Sequence, residues 1–156
     1  MDFNLWLAFH SNFRWIVLIA LLFTLVYTYF KKSSQQNFSK FDESLLKLNL
    51  FIAIIQLFLG IVLYTQSGIV EYFYSHYPET VKMREIRFFG MEHVLMMPIA
   101  LSIFVSGGFK GKKINGIKGY KIWYKRTCWA LILISLSIPW SFWALVSRPL
   151  WRSIIP

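Results

Sequence analysis

The chain has 156 residues, of which 56% are hydrophobic, 19% aromatic and 15% charged, with a formal net charge of +10. A soluble domain of this length carries roughly a quarter charged residues around a single core, so this composition excludes a soluble globular enzyme. Four apolar runs take up more than half of the chain and leave no room for a second folded domain.

The first run covers about 5–30 and is broken by His10, Ser11, Asn12 and Arg14. Its Met1-Asp2 opening, its length and the lack of a small-residue cleavage site predict a membrane span rather than a cleaved signal peptide. The second covers about 45–66, with Gln56 as its strongly polar interior residue. The third, about 87–107, carries Glu92, His93 and Pro98 and closes at Gly107-Gly108. The glycine-rich stretch from Gly107 to Gly119 reads as a flexible loop, because Ile117 stands where a phosphate-binding loop needs lysine. The fourth run covers about 126–147 with Pro139 inside.

A hydrocarbon core of about 30 Å takes about 20 helical residues per crossing. The expected fold is therefore all-α: one integral membrane four-helix bundle over residues 1–156, up-down-up-down. Trp6, Tyr64, Trp140 and Trp143 fall at one expected interface, and Tyr27, Tyr29, Trp123 and Trp129 at the other. Amphipathic rings collect at such headgroup levels.

Basic residues set the orientation. The 1–2 and 3–4 connections hold Lys31, Lys32, Lys40, Lys47, Lys110, Lys112, Lys113, Lys118, Lys121, Lys125 and Arg126, eleven in all. The opposite side holds five: Lys82, Arg84, Arg87, Arg148 and Arg152. The richer side is expected to be cytoplasmic, which puts both termini outside. Most of the net charge is thus an orientation signal with attraction to anionic headgroups, and no nucleic-acid module accompanies it. Residues 69–85 alternate apolar and polar and suit a short element lying on the outer interface, as an anchor or as a lid. A lone cysteine, Cys128, excludes an internal disulfide and any c-type haem motif.

Ionisable groups at membrane depth are costly and mark functional sites. Here they are His10, Arg14, Glu92 and His93. The first and third spans run in the same direction. His10 and His93 each lie five to seven residues past the start of their span, roughly 8–10 Å deep at 1.5 Å per residue. Two neutral imidazoles at one level suit the two axial positions of a b-type haem held between helices. Gly90, three residues before His93, offers a small surface for a flat ring. Arg14, Arg84, Arg87 and Arg148 are cations for propionates, and Gln56 is a candidate partner for an imidazole N–H.

Arg14, one turn below His10, can also reach Glu92 across the first and third spans. The same histidines suit interhelical hydrogen bonds in a non-catalytic scaffold. A zinc ion on His10, His93 and Glu92 fits less well, because Glu92 projects about 100° from His93. A proton-coupled transporter using Glu92 lacks the internal repeat such folds carry.

The segment His10-Ser11-Asn12-Phe13-Arg14-Trp15 resembles the HS-x-x-RW opening of a group of small four-span bacterial membrane proteins labelled cytochrome b. Arg87-Phe88-Phe89, Glu92-His93 and Met96-Met97 resemble that group's third-helix signature, and Ile138-Pro139-Trp140 its fourth-helix ending. The resemblance implies a multi-pass protein of the bacterial inner membrane that binds haem b and acts as an electron-transfer subunit rather than a stand-alone enzyme. The sites it implies are His10 and His93 as ligands, with Arg14, Glu92 and Gly90 around the cofactor. The implied partners are the lipid bilayer, quinol or an outer-face redox partner, and other membrane subunits or a second copy. The expected cytoplasmic half has no histidine, in contrast to two-haem cytochromes that relay electrons across a bilayer.

Overall fold

A computed structural model of the chain describes residues 2–33, 36–142, 146 and 148–153. The described residues are all-helical apart from turns and connections. Three helices are long and apolar enough to cross a membrane: Phe3–Lys31, Lys40–Gln66 and Arg84–Ile114.

Helix α1 (Phe3–Lys31) starts at Asp2, whose carboxylate accepts the amide of Asn4 at 2.9 Å. Helix α2 (Lys40–Gln66) starts in a reciprocal cap, in which Ser39 and Asp42 satisfy each other's backbone amides. Short helix α3 (Gly68–Ser75) and a 3-10 turn (Glu79–Lys82) follow. Then α4 (Arg84–Arg87), a π turn (Phe88–Glu92) and α5 (His93–Ile114) run on as one rod, and α6 (Gly116–Ser137) returns.

The four long rods touch in cyclic order, α1 on α2, α2 on α5, α5 on α6 and α6 on α1. Val17, Leu18, Leu21, Ala53, Phe104 and Ile134 fill the space between them. The outward faces are no less apolar: Ile19 is 65% exposed and Phe51 62%. In water, each square ångström of such surface costs roughly 25 cal/mol. A chain with apolar residues both inside and outside suits a membrane. Some polar groups inside are paired across helices, as where Asn49 Nδ2 donates to Thr24 Oγ1 at 2.8 Å.

At one end of the rods, buried Asp42 accepts from Tyr27 (2.8 Å) and Tyr120 (2.9 Å), which ties α1, α2 and α6 together. Phe38 stacks on Tyr120 and Trp123 beside this knot.

Two expected boundaries move. The glycine-rich stretch is not a loop: α5 continues through Gly107, Gly108 and Gly111 to Ile114, and only Asn115 and Gly116, at φ 61° and 56°, break the path. Those glycines are buried against α6. A Cβ on Gly119 would lie 2.3 Å from the Gly111 carbonyl oxygen, so the two backbones meet where side chains have no room.

The fourth helix is correspondingly shifted, from the expected 126–147 to Gly116–Ser137. Its first half carries Lys118, Lys121, Lys125 and Arg126, which keeps it out of the set of membrane-length apolar helices. Its end is set by Pro139, which lacks an N–H and forces the preceding Ile138 out of helical geometry (ψ 130°). Trp143, assigned above to the outer aromatic belt, lies outside the described residues.

The close α5–α6 approach predicts that Gly119→Ala lowers stability by about 1–3 kcal/mol through overpacking. Gly68→Ala, which meets nothing within 4 Å, should stay within about 0.5 kcal/mol of the parent protein. Thermal unfolding of the two variants in the same detergent measures the difference.

Candidate functional site

The start of α1, the last turns of α2, the start of α5 and the end of α6 meet at the end of the rods opposite the Asp42 knot. His10 and His93 come together there, with ring centres 6.2 Å apart and planes at 74°. Both are half-buried. The first and third long rods thus bring the two imidazoles to within ring contact.

Each ring is held by a different device. His93 Nδ1 donates to the Ser137 carbonyl oxygen at 2.7 Å. That oxygen is available because α6 stops at Ser137, and the last carbonyls of a helix have no partner within it. With its proton on Nδ1, His93 keeps the lone pair of Nε2 free, the tautomer in which a histidine serves as a ligand.

His10 lies against Gly60 of α2, where a Cβ would come 3.3 Å from the imidazole Cε1. Gln56, one turn earlier, places Nε2 3.3 Å from His10 Nδ1 and 3.3 Å from the His10 carbonyl oxygen. Gln56 thus does contact a histidine, but with its amide nitrogen, a donor, rather than as the acceptor of an imidazole N–H, and its Oε1 is left without a partner.

Arg14 is buried and does not pair with Glu92, contrary to the ion pair considered from sequence. Its Nη2 donates to the carbonyl oxygens of Pro149 (3.0 Å) and Leu150 (2.6 Å), and Trp15 Nε1 also donates to Leu150 (3.1 Å). Asn12 holds Arg152 from both sides, donating to its carbonyl (2.9 Å) and accepting its amide (3.2 Å). Trp151 stacks on Trp15 at 5.1 Å. The first helix thus binds the segment beyond α6 through residues 12, 14 and 15.

Glu92 turns instead to Arg87 Nε (2.7 Å) and Arg84 Nη1 (3.3 Å). An α-helix would leave residues 87 and 92 on different faces. The π turn, with its i to i−5 bonding, brings them into line. Arg148 forms its ion pair with Glu85. The zinc set of His10, His93 and Glu92 is not assembled, and no group of three His, Cys, Asp or Glu that could hold a metal occurs among the described residues.

Gly90 does not open onto the histidines either. The ring of Phe73, from α3, fills the space a Cβ would take (2.4 Å), and Tyr64 donates to the Gly90 carbonyl at 2.9 Å. Its small size admits the α3 segment, while Gly60 is the glycine beside an imidazole.

Two imidazoles from different rods lie together, so His10 and His93 are the residues that could hold a haem iron here, although the Gln56 amide nitrogen also lies 3.4 Å from His10 Nε2. Several buried nitrogens at this end also lack a partner among the described residues: Trp6 Nε1, Arg14 Nε, Arg84 Nε and Arg152 Nε. Such donors are costly to leave unmade, and three of them belong to cations of the kind that receive carboxylates. No protein-family model, no curated protein and no solved structure matches the chain.

Loss of the two Asn12 bonds, each worth about 0.5–1.5 kcal/mol, should loosen the segment beyond α6. In Asn12→Ala, tryptic cleavage after Arg152 is expected to speed up about tenfold, read by mass spectrometry of the intact chain. An unchanged rate would show that Asn12 does not anchor it.

Proposed function

We propose that the chain is a b-type cytochrome-like electron carrier of the bacterial inner membrane, with one haem b near the outer face between His10 and His93. The rods form a four-helix membrane bundle, up-down-up-down, with both termini outside. The observation that supports this reading is the meeting of two imidazoles from α1 and α5, with ring centres 6.2 Å apart.

When bound, haem b supplies a one-electron couple. The chain's own residues do the rest. His10 and His93 would hold the iron, the Ser137 carbonyl accepts the His93 Nδ1 proton, and Gly60 gives His10 its place. Arg14 and Arg152 supply positive charge and spare N–H donors for propionates. The resemblance of the His10–Trp15 and Arg87–Met97 segments to the four-span cytochrome b group supports the same assignment.

Only one other histidine exists, His76, and it stacks on Tyr72 outside the bundle. One haem per chain leaves the subunit unable to relay electrons across the bilayer alone. It therefore exchanges them with quinol or with an outer-face partner, within a complex with other membrane subunits or a second copy.

A specific observation favours a second reading, a non-catalytic four-span scaffold. The contacts from Gln56 to His10, from His93 to Ser137 and from Arg14 to Pro149 and Leu150 join elements distant in sequence. Each would hold the bundle with no cofactor.

Spectroscopy separates the two. Protein purified in mild detergent from haem-supplied cells should show a Soret band and a sharp α band on reduction. Both bands should be lost in His10→Ala and in His93→Ala. A colourless protein whose helical circular dichroism is intact removes the cytochrome reading and leaves the scaffold.

A further inference from the structure

The second site lies at the other end of the molecule. The backbone contact of Gly111 with Gly119 sets α5 close on α6, and a groove of about 750 Å³ remains between α5 and α2. Leu50, Ile54 and Leu57 of α2 and Leu101, Val105 and Phe109 of α5 form its apolar walls. Lys110, Lys113 and Arg126 also line it, all from the basic end. Arg126 Nη1 donates to Ser106 Oγ at 2.7 Å, which holds the guanidinium against the α5 wall.

Among the described residues, no side-chain carboxylate pairs with these cations. Of the chain's seven acidic residues, Asp2, Glu71, Glu79, Glu85 and Glu92 lie toward the histidine end. Asp42 accepts from Ser39, Tyr27 and Tyr120, and Glu43 pairs with Lys112 at 3.0 Å. The described carboxylates thus leave Lys110, Lys113 and Arg126 open to an anion that is not one of them.

An apolar slot that ends in three cations is complementary to an amphiphile with an acidic head. We propose that this groove binds one anionic glycerophospholipid, its acyl chain between α2 and α5 and its phosphate on Lys110, Lys113 and Arg126. The inference rests on the membrane placement proposed above and is independent of the histidine site. A basic loop in general attracts acidic headgroups. The groove adds a fixed seat, and the experiment has to distinguish the seat from the field.

Full-length protein, first shown to fractionate with membranes, is stripped of lipid in mild detergent. It is then titrated with phosphatidylglycerol or phosphatidylcholine and followed by native mass spectrometry. One phosphatidylglycerol per chain should bind, at least about tenfold more tightly than phosphatidylcholine. Lys110→Gln with Lys113→Gln, two exposed positions, should weaken it by about tenfold or more. Lys118→Gln with Lys121→Gln, on the same side but off the groove, should leave it unchanged. Ser102→Trp, which fills the exposed wall of the groove, should weaken it as well.

Equal binding of the two lipids overturns the proposal, as does equal loss in the two lysine pairs. Displacement of the lipid by millimolar inorganic phosphate would mark a site for free anions instead. A dimer that Ser102→Trp breaks would mark a second copy as the occupant. Recovery of the chain in the soluble fraction would fail the membrane reading itself, and the groove with it.

Discussion

The arrangement at the histidine end depends on where one helix has to stop. Pro139 denies Ile138 a helical conformation, α6 ends at Ser137, and a carbonyl that would otherwise be used inside the helix is left to accept a proton from His93. An imidazole held this way has one nitrogen committed and one free, at a fixed place across from His10. If α6 ran on through Trp140, the Ser137 carbonyl would turn into its own helix and His93 would lose its orientation. The segment after the stop is also used, since Arg14, Trp15 and Asn12 bind its backbone and keep it against α1.

The two ends of the rods differ in how their polar groups are satisfied. At the Asp42 end several polar groups are matched to one another: a carboxylate with two tyrosine hydroxyls and a serine, a lysine with a glutamate. Among the described residues, buried polar atoms without a partner occur at both ends, Trp123 Nε1 beside the Asp42 knot and Asn49 Oδ1 farther along α2, but more of them lie at the histidine end, on Trp6, Arg14, Gln56, Arg84 and Arg152. Unmade hydrogen bonds cost stability, and the unpaired arginine nitrogens near the two imidazoles are donors that a carboxylate-bearing ligand would satisfy. Close packing is unevenly distributed too. Glycine-to-glycine contact between α5 and α6 goes with a groove between α5 and α2.

The apolar rods, and the matched positions of the two histidines along the first and third of them, were legible in the sequence, because hydrophobic length and helical rise are local properties. The run of α1 agrees with 5–30 within a few residues at either end, and that of α2 begins about a turn earlier than 45. What local reading missed depended on a neighbour. Gly107, Gly108 and Gly111 look like helix breakers until α6 supplies a surface that only glycines fit. Arg14 and Glu92 looked like mutual partners because both are charged and at similar depth. Each found a nearer solution, Arg14 in carbonyls freed beyond α6 and Glu92 in arginines that the π turn brings round. Gly90 was read as cofactor surface, but Phe73 of α3 takes the space. The one available signal for the Ser137 carbonyl was Pro139, which marks a helix end and therefore free acceptors just before it.

The most direct measurement on the central claim is the low-temperature electron paramagnetic resonance of the oxidised protein from haem-supplied cells. Two histidine ligands with ring planes at 74° should give a strongly anisotropic low-spin ferric signal from one iron per chain. A high-spin ferric signal from bound haem would contradict the account, because it would mean that at least one of the two imidazoles does not reach the metal.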